Sequence, residues 1–126
     1  MRIIGHGVDL VEVARIAALL ARHPERFLER VFCPDERDRG AGTPRHAEHL
    51  AARFAAKEAV LKALSTGTVG VGWQDIEVVT LDSGAPTIRL HGRGSDHARA
   101  LGITQWHLSL SHTGTVAMAS VIATGP

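Results

Sequence analysis

Lys57 and Lys62 are the only two lysines in a 126-residue chain, and they bracket Glu58 within the run Arg53-Phe54-Ala55-Ala56-Lys57-Glu58-Ala59-Val60-Leu61-Lys62. Arginine carries the rest of the positive charge. Lysine offers what arginine does not, a compact and strongly hydrated ammonium, and phosphate is one ligand that suits it. A carboxylate beside such cations is what a metal-assisted reaction at a pyrophosphate needs. An α-helix turns about 100° per residue, which stacks Glu58 on Lys62 and Arg53 on Lys57. An ordinary surface pair between Glu58 and Lys62, adding roughly 0.2–0.5 kcal/mol to an isolated helix, explains the segment equally well by itself.

Other residues give the site reading its weight. Asp9 follows Gly5-His6-Gly7-Val8, where a bare backbone lets a bulky ligand approach. A helix N-cap is the commoner role for such an aspartate. Together with Glu58, however, it supplies the two carboxylates that magnesium takes from a protein when phosphates and waters fill its other positions. Ser109, Ser111 and His112 place hydroxyls and an imidazole at a strand end, all able to reach phosphate oxygens. A polar strand edge facing water is the plainer account of them. A serine hydrolase is set aside, since no Gly-x-Ser-x-Gly elbow is present. His46 and His49 read as solvent-facing helix residues, without the partners a zinc site requires. Arg15, Leu19, Arg22 and Arg26 recur at helical spacing, with Phe27 and Arg30 adjoining. That stripe is either a solvated face or a docking surface for an acidic helical partner.

The elements that must position these groups follow from the pattern. Residues 2–9 read as a strand, with a bulge or close backbone approach at its glycines. A helix from Leu10 to about Arg22 takes Asp9 as its cap, and a second begins at Pro24 and ends at Val31. Residues 33–45 form a loop with one turn. The long helix spans His46 to Leu64, apolar nearly all round and therefore interior, with Gly67 as its C-cap. Trp73–Leu81 and Pro86–His91 make a hairpin about Asp82-Ser83-Gly84. Ser95 and Asp96 cap a short helix ending near Gly102. Strands at Trp106–Ser111 and Val116–Ala123 close the chain. Strands and helices mix without regular βαβ alternation, which predicts a single α+β domain over residues 1–126 with antiparallel pairing, its sheet packed against the long helix.

Composition narrows the function classes. A net charge of +1 and 4% aromatic residues argue against nucleic acid as the main partner. Neither an apolar run near 20 residues nor a leader is seen, so no membrane partner is expected. Cys33 stands alone and fits a reducing, cytoplasmic setting. A start at methionine and an end just past the last strand lead to the expectation of a free-standing enzyme.

Three separated stretches resemble one family: Gly-His-Gly-Val-Asp-Leu-Val-Glu from Gly5, Arg-Phe-Ala-Ala-Lys-Glu-Ala-Val-Leu-Lys-Ala-Leu from Arg53, and Trp-His-Leu-Ser-Leu-Ser-His-Thr from Trp106. The resemblance, which also takes in Trp73-Gln74-Asp75-Ile76-Glu77 and Gly84-Ala85-Pro86, is to holo-[acyl-carrier-protein] synthase of the 4′-phosphopantetheinyl transferase superfamily. It implies that fold, a homotrimer with sites between subunits, and transfer of phosphopantetheine from coenzyme A to a serine of an acyl carrier protein. Adenosine 3′,5′-bisphosphate is released, in support of fatty acid or polyketide synthesis. By position, the resemblance makes Asp9 and Glu58 the Mg2+ ligands and Lys62 the cation that neutralises the pyrophosphate. Glu58 or a water on the metal becomes the base. Arg53, Lys57, Lys62, Ser111 and His112 become coenzyme A contacts, His112 reaching the 3′-phosphate from a neighbouring subunit. Arg15, Leu19, Arg22, Arg26 and Phe27 become the carrier-protein surface. Cys33 in place of a usual threonine, Ser65 in place of a glycine, and Pro24 at the helix junction depart from the family pattern. A hydrolase of another nucleotide pyrophosphate and a non-catalytic scaffold that binds coenzyme A or a carrier are the competing readings.

Overall fold

A computed structural model describes residues 1–38, 40–65 and 70–126. In chain order it comprises β1 (Arg2–Glu12), α1 (Val13–Arg22), α2 (Pro24–Val31), the single turn α3 (Pro34–Arg37), α4 (His46–Leu64), a 3-10 turn (Trp73–Asp75), β2 (Ile76–Thr80), β3 (Pro86–Leu90), α5 (Gly92–Ala100), β4 (Gln105–His112) and β5 (Val116–Gly125). One antiparallel sheet has the order β1-β5-β4, and β2-β3 form a separate antiparallel hairpin. The class is α+β, as expected.

α4 is a core helix. From Leu50 to Leu64 every residue is buried except Glu58 and Lys62, so the one opening in an apolar cylinder is an i,i+4 pair of charges. Its alanines let the sheet come close. A Cβ on Gly5 would sit inside the contact distance of the Ala63 carbonyl oxygen, and one on Gly7 inside that of Ala59. β1 therefore lies with bare backbone against helix backbone, and a bulge between Ile3 and Gly5 adjusts its register. Ala117, Ala119, Val121 and Ala123 of β5 are buried on the same face.

Several boundaries differ from the sequence expectation. β1 runs three residues past Asp9, because Leu10, Val11 and Glu12 pair with Met118, Ala117 and Val116. Asp9 is thus a strand residue opposite Ala119, and Glu12 takes the N-cap place of α1 without a side-chain cap bond. Cross-strand pairing has overridden local capping chemistry. Trp73–Asp75 is a 3-10 turn where strand was expected, and α5 begins at Gly92, ahead of Ser95 and Asp96. Asp75 explains that start: its carbonyl accepts the His91 N–H at 2.8 Å. The expected C-cap, Gly67, lies outside the described residues. Ser65 ends α4 instead, in the left-handed region at φ 58°.

A buried ion pair ties α3, α4 and β2 together. Lys57 and Glu36 are both inaccessible and meet at 2.8 Å. Lys57 also donates to the carbonyls of Trp73, at 3.0 Å, and Ile76. Glu36 accepts the N–H of Cys33 at 2.8 Å and of Val78 at 3.0 Å. Burial of Cys33 beside this pair pushes its thiol up to about 11.

Replacing Lys57 with methionine strands Glu36 in the interior and should cost about 3–5 kcal/mol in urea unfolding; the double change with Glu36→Gln should recover part of that loss. Ser65→Gly should raise stability by roughly 1 kcal/mol in the same assay, since it relieves a left-handed serine.

Candidate active site

The opening on α4 faces β1. Asp9 sits in the cross-strand row of Ala119 and Leu110, on the sheet face that meets the helix. Lys62 extends its ammonium to the Asp9 carboxylate at 3.2 Å and to the Val8 carbonyl at 2.8 Å. Its partner is therefore the strand, and a plain Glu58–Lys62 surface pair is not how this lysine is used. Glu58 is half-buried beside them, and its carboxyl is held above the ordinary range, first by burial and then by the Asp9 carboxylate; Arg15 and Lys62 pull it back. Two carboxylates and two cations thus share one small region. Arg15 lies over the Phe54 ring, 5.5 Å from its centroid.

A second cluster occupies the other flank of α4. His49, Arg53, Ser109 and His112 line a cavity of about 350 Å³, whose rim includes Gly84 and Pro86 of the hairpin turn. The His49 and His112 rings meet edge-on with centroids 5.9 Å apart, and His112 Nδ1 lies 3.7 Å from a Glu48 carboxylate oxygen. Arg53 is buried and donates to the His49 carbonyl at 3.4 Å. Guanidinium, imidazole and hydroxyl together make a lining suited to an anionic, partly apolar ligand.

The two clusters do not meet within one chain. Arg53 and Glu58 are five residues apart, about 140° around the helix. Asp9 is on β1 and His112 on β4, the opposite edges of a three-stranded sheet. Ser111 shares a row with Met118 on the exposed sheet face, away from α4.

Other expected site residues find different places. Lys57 is sealed in the interior by Glu36 and two carbonyls, so it is not free to touch coenzyme A; its charge partner is remote in sequence, which helical spacing could not reveal. Phe27 is buried, packing edge-on against Phe32 with centroids 5.4 Å apart, and is not a surface group. Leu19 is half-buried, whereas Arg15, Arg22 and Arg26 are exposed. Neither His46 nor His49 is solvent-facing. His46 donates to the Arg37 carbonyl at 3.0 Å, and His49 lines the cavity. The signal for His49 was its place four residues before Arg53, on the same helix face.

Residues 5–119 match the family model for the 4′-phosphopantetheinyl transferase superfamily. The chain is 51% identical to a holo-[acyl-carrier-protein] synthase of Anaeromyxobacter sp. (strain K), over 98% of this chain and 99% of that one. Its fold is similar to the crystal structure of holo-[acyl-carrier-protein] synthase from Neisseria meningitidis, with a TM-score of 0.87, 31% identity, and coverage of 97% and 98%. A Bacillus anthracis holo-(acyl-carrier-protein) synthase, solved in complex with CoA (3′,5′-ADP), is similar with a TM-score of 0.81, 34% identity and full coverage of both chains. With the family model covering all but the two ends of the chain and a near half-identical relative spanning it, the chain belongs to the holo-[acyl-carrier-protein] synthase family of 4′-phosphopantetheinyl transferases.

Proposed function

We propose that residues 1–126 form one catalytic domain that moves 4′-phosphopantetheine from coenzyme A to a serine of an apo-acyl carrier protein, leaving adenosine 3′,5′-bisphosphate. The observation that carries this reading is the single charged opening in α4, aimed at Asp9. The chemistry serves fatty acid or polyketide synthesis in the cytoplasm. Among the described residues no helix is long and apolar enough to cross a membrane.

The donor set fits magnesium. Burial first, and the neighbouring Asp9 carboxylate second, hold the Glu58 carboxyl above its ordinary range, and two carboxylates on facing elements suit a hard cation. Asp9 and Glu58 would hold the ion. When bound, magnesium supplies charge neutralisation at the pyrophosphate and at the leaving bisphosphate. The remaining work falls to side chains. Lys62, held near Asp9 but 54% exposed, turns its ammonium to the pyrophosphate and stabilises charge that grows in the transition state. Glu58 receives the proton of the carrier serine. Arg53 and His112 hold the nucleotide phosphates. Arg15, Arg22 and Arg26 steer the acidic carrier and orient its serine.

A homotrimer completes the site. The sheet face turned away from α4 exposes Val8, Leu10, Val116 and Met118, a contiguous apolar set by register, and such a set on a small protein favours burial against another copy. Contact between copies would bring the Asp9–Glu58 cluster of one chain near the His112 cluster of the next.

Glu58→Gln should lower phosphopantetheine transfer by roughly a hundred- to ten-thousand-fold, read as the mass gain of an apo-carrier incubated with coenzyme A and magnesium. Transfer at the wild-type rate would overturn the assignment of Glu58. In chelator the wild type should lose stability as pH climbs above the ordinary carboxylate range, because its folded state holds the Glu58 proton more tightly than the unfolded chain does; the Gln variant should not share that loss, as thermal melts at pH 5 and pH 8 would show. Met118→Glu should convert the trimer to monomer in sedimentation and remove transfer activity with it.

A further inference from the structure

The C-terminal end of α2 is held from outside by two side chains. Arg37 Nε donates to the carbonyls of Leu28 at 3.1 Å and Phe32 at 3.0 Å, and an Nη donates to that of Glu29 at 3.3 Å. Gln74 Nε2 donates to the same Glu29 carbonyl and to that of Phe32 at 3.3 Å. Gln74 is itself placed by α4, since the carbonyls on either side of it in the chain, those of Trp73 and Ile76, both accept the Lys57 ammonium. Two sets of polar contacts, joined through the backbone of residues 73–76, thus link Lys57, the residue before Glu58, to the last carbonyls of α2.

α2 needs this restraint. Eight residues do not hold a helix in water by themselves, and Phe27, Val31 and the partly buried Leu28 are what anchor it to the interior. Its last carbonyls gather partial negative charge, which would repel an acidic partner docking near Arg26 and Arg30. A guanidinium spread over three of them removes that repulsion and fixes the pitch of the helix. A lysine cannot do both, having no planar fork.

We infer that Arg37 and Gln74 are positioning residues that hold the exposed Arg26 face of α2 in register with the catalytic helix for an acidic carrier protein; the inference rests on the carrier surface proposed above. The test is steady-state kinetics of Arg37→Lys, Gln74→Leu and Arg26→Ala with apo-carrier and coenzyme A varied separately, together with hydrogen exchange of the free enzymes. Arg37→Lys, which keeps the charge, should raise the KM for the carrier roughly five-fold, the scale of one lost ordinary hydrogen bond. Its kcat and its KM for coenzyme A should stay at wild-type values, and amides 25–32 should exchange faster while those of α4 do not. Gln74→Leu should act in the same direction and covers the case in which the arginine variant folds poorly. A raised carrier KM in Arg26→Ala with wild-type values in both other variants overturns the positioning role and leaves the carrier surface standing. A parallel rise in the KM for coenzyme A in Arg37→Lys also overturns it. Wild-type carrier KM in all three variants overturns the carrier surface, and the inference with it.

Discussion

Everything in this molecule is registered on one close contact, the laying of β1 across the backbone of α4. Gly5 and Gly7 permit it by lacking side chains, and Ala59 and Ala63 permit it from the other side. Because the strand has no freedom to stand off, Asp9 arrives beside Lys62 and Glu58 with its depth already set. A larger residue at either glycine would move Asp9 and its strand together, since overpacking of this kind displaces backbone. Packing and chemistry are therefore one constraint here.

The Lys57–Glu36 pair does comparable work on the opposite side of α4. Two ions in a dry interior are favourable only if their remaining hydrogen-bonding capacity is also met, and here Cys33, Trp73, Ile76 and Val78 meet it. The pair specifies which segments surround α4: the turn after α2 and the start of the β2-β3 hairpin. Neighbouring residues of α4 thus divide their duties. Lys57 organises the scaffold and Glu58 faces the cluster of Asp9, Arg15 and Lys62.

Much of this is legible in the sequence. The limits of α4 follow from its nearly unbroken run of apolar helix formers up to the Ser65-Thr66-Gly67 stretch, and β4 shows its alternation of Trp106, Leu108 and Leu110 with polar residues. Asp9, Glu58 and Lys62 could be grouped from residue type and spacing. What could not be read was set by long-range partners. Nothing local says that Leu10–Glu12 will pair with Val116–Met118 and so turn an expected cap into a strand residue. Nothing on α4 says that the ammonium of Lys57 will meet a carboxylate 21 residues earlier. Phe27 sits within an arginine-rich stripe, yet its ring goes inward to Phe32, because a helix with so few apolar residues must bury those it has. Helical spacing names the face a residue occupies; only the neighbouring elements decide whether that face is wet.

The burial of Lys57 also changes what the chain presents to solvent. A protein with two lysines, one of them sealed, offers acylating or aldehyde reagents a single side-chain amine, and Lys62 carries it, 54% exposed. Lysine-directed labelling, cross-linking or surface immobilisation would converge on the site itself, while the arginines that supply the rest of the positive charge pass through such chemistry unchanged. A reagent that elsewhere decorates a surface would here mark one side chain.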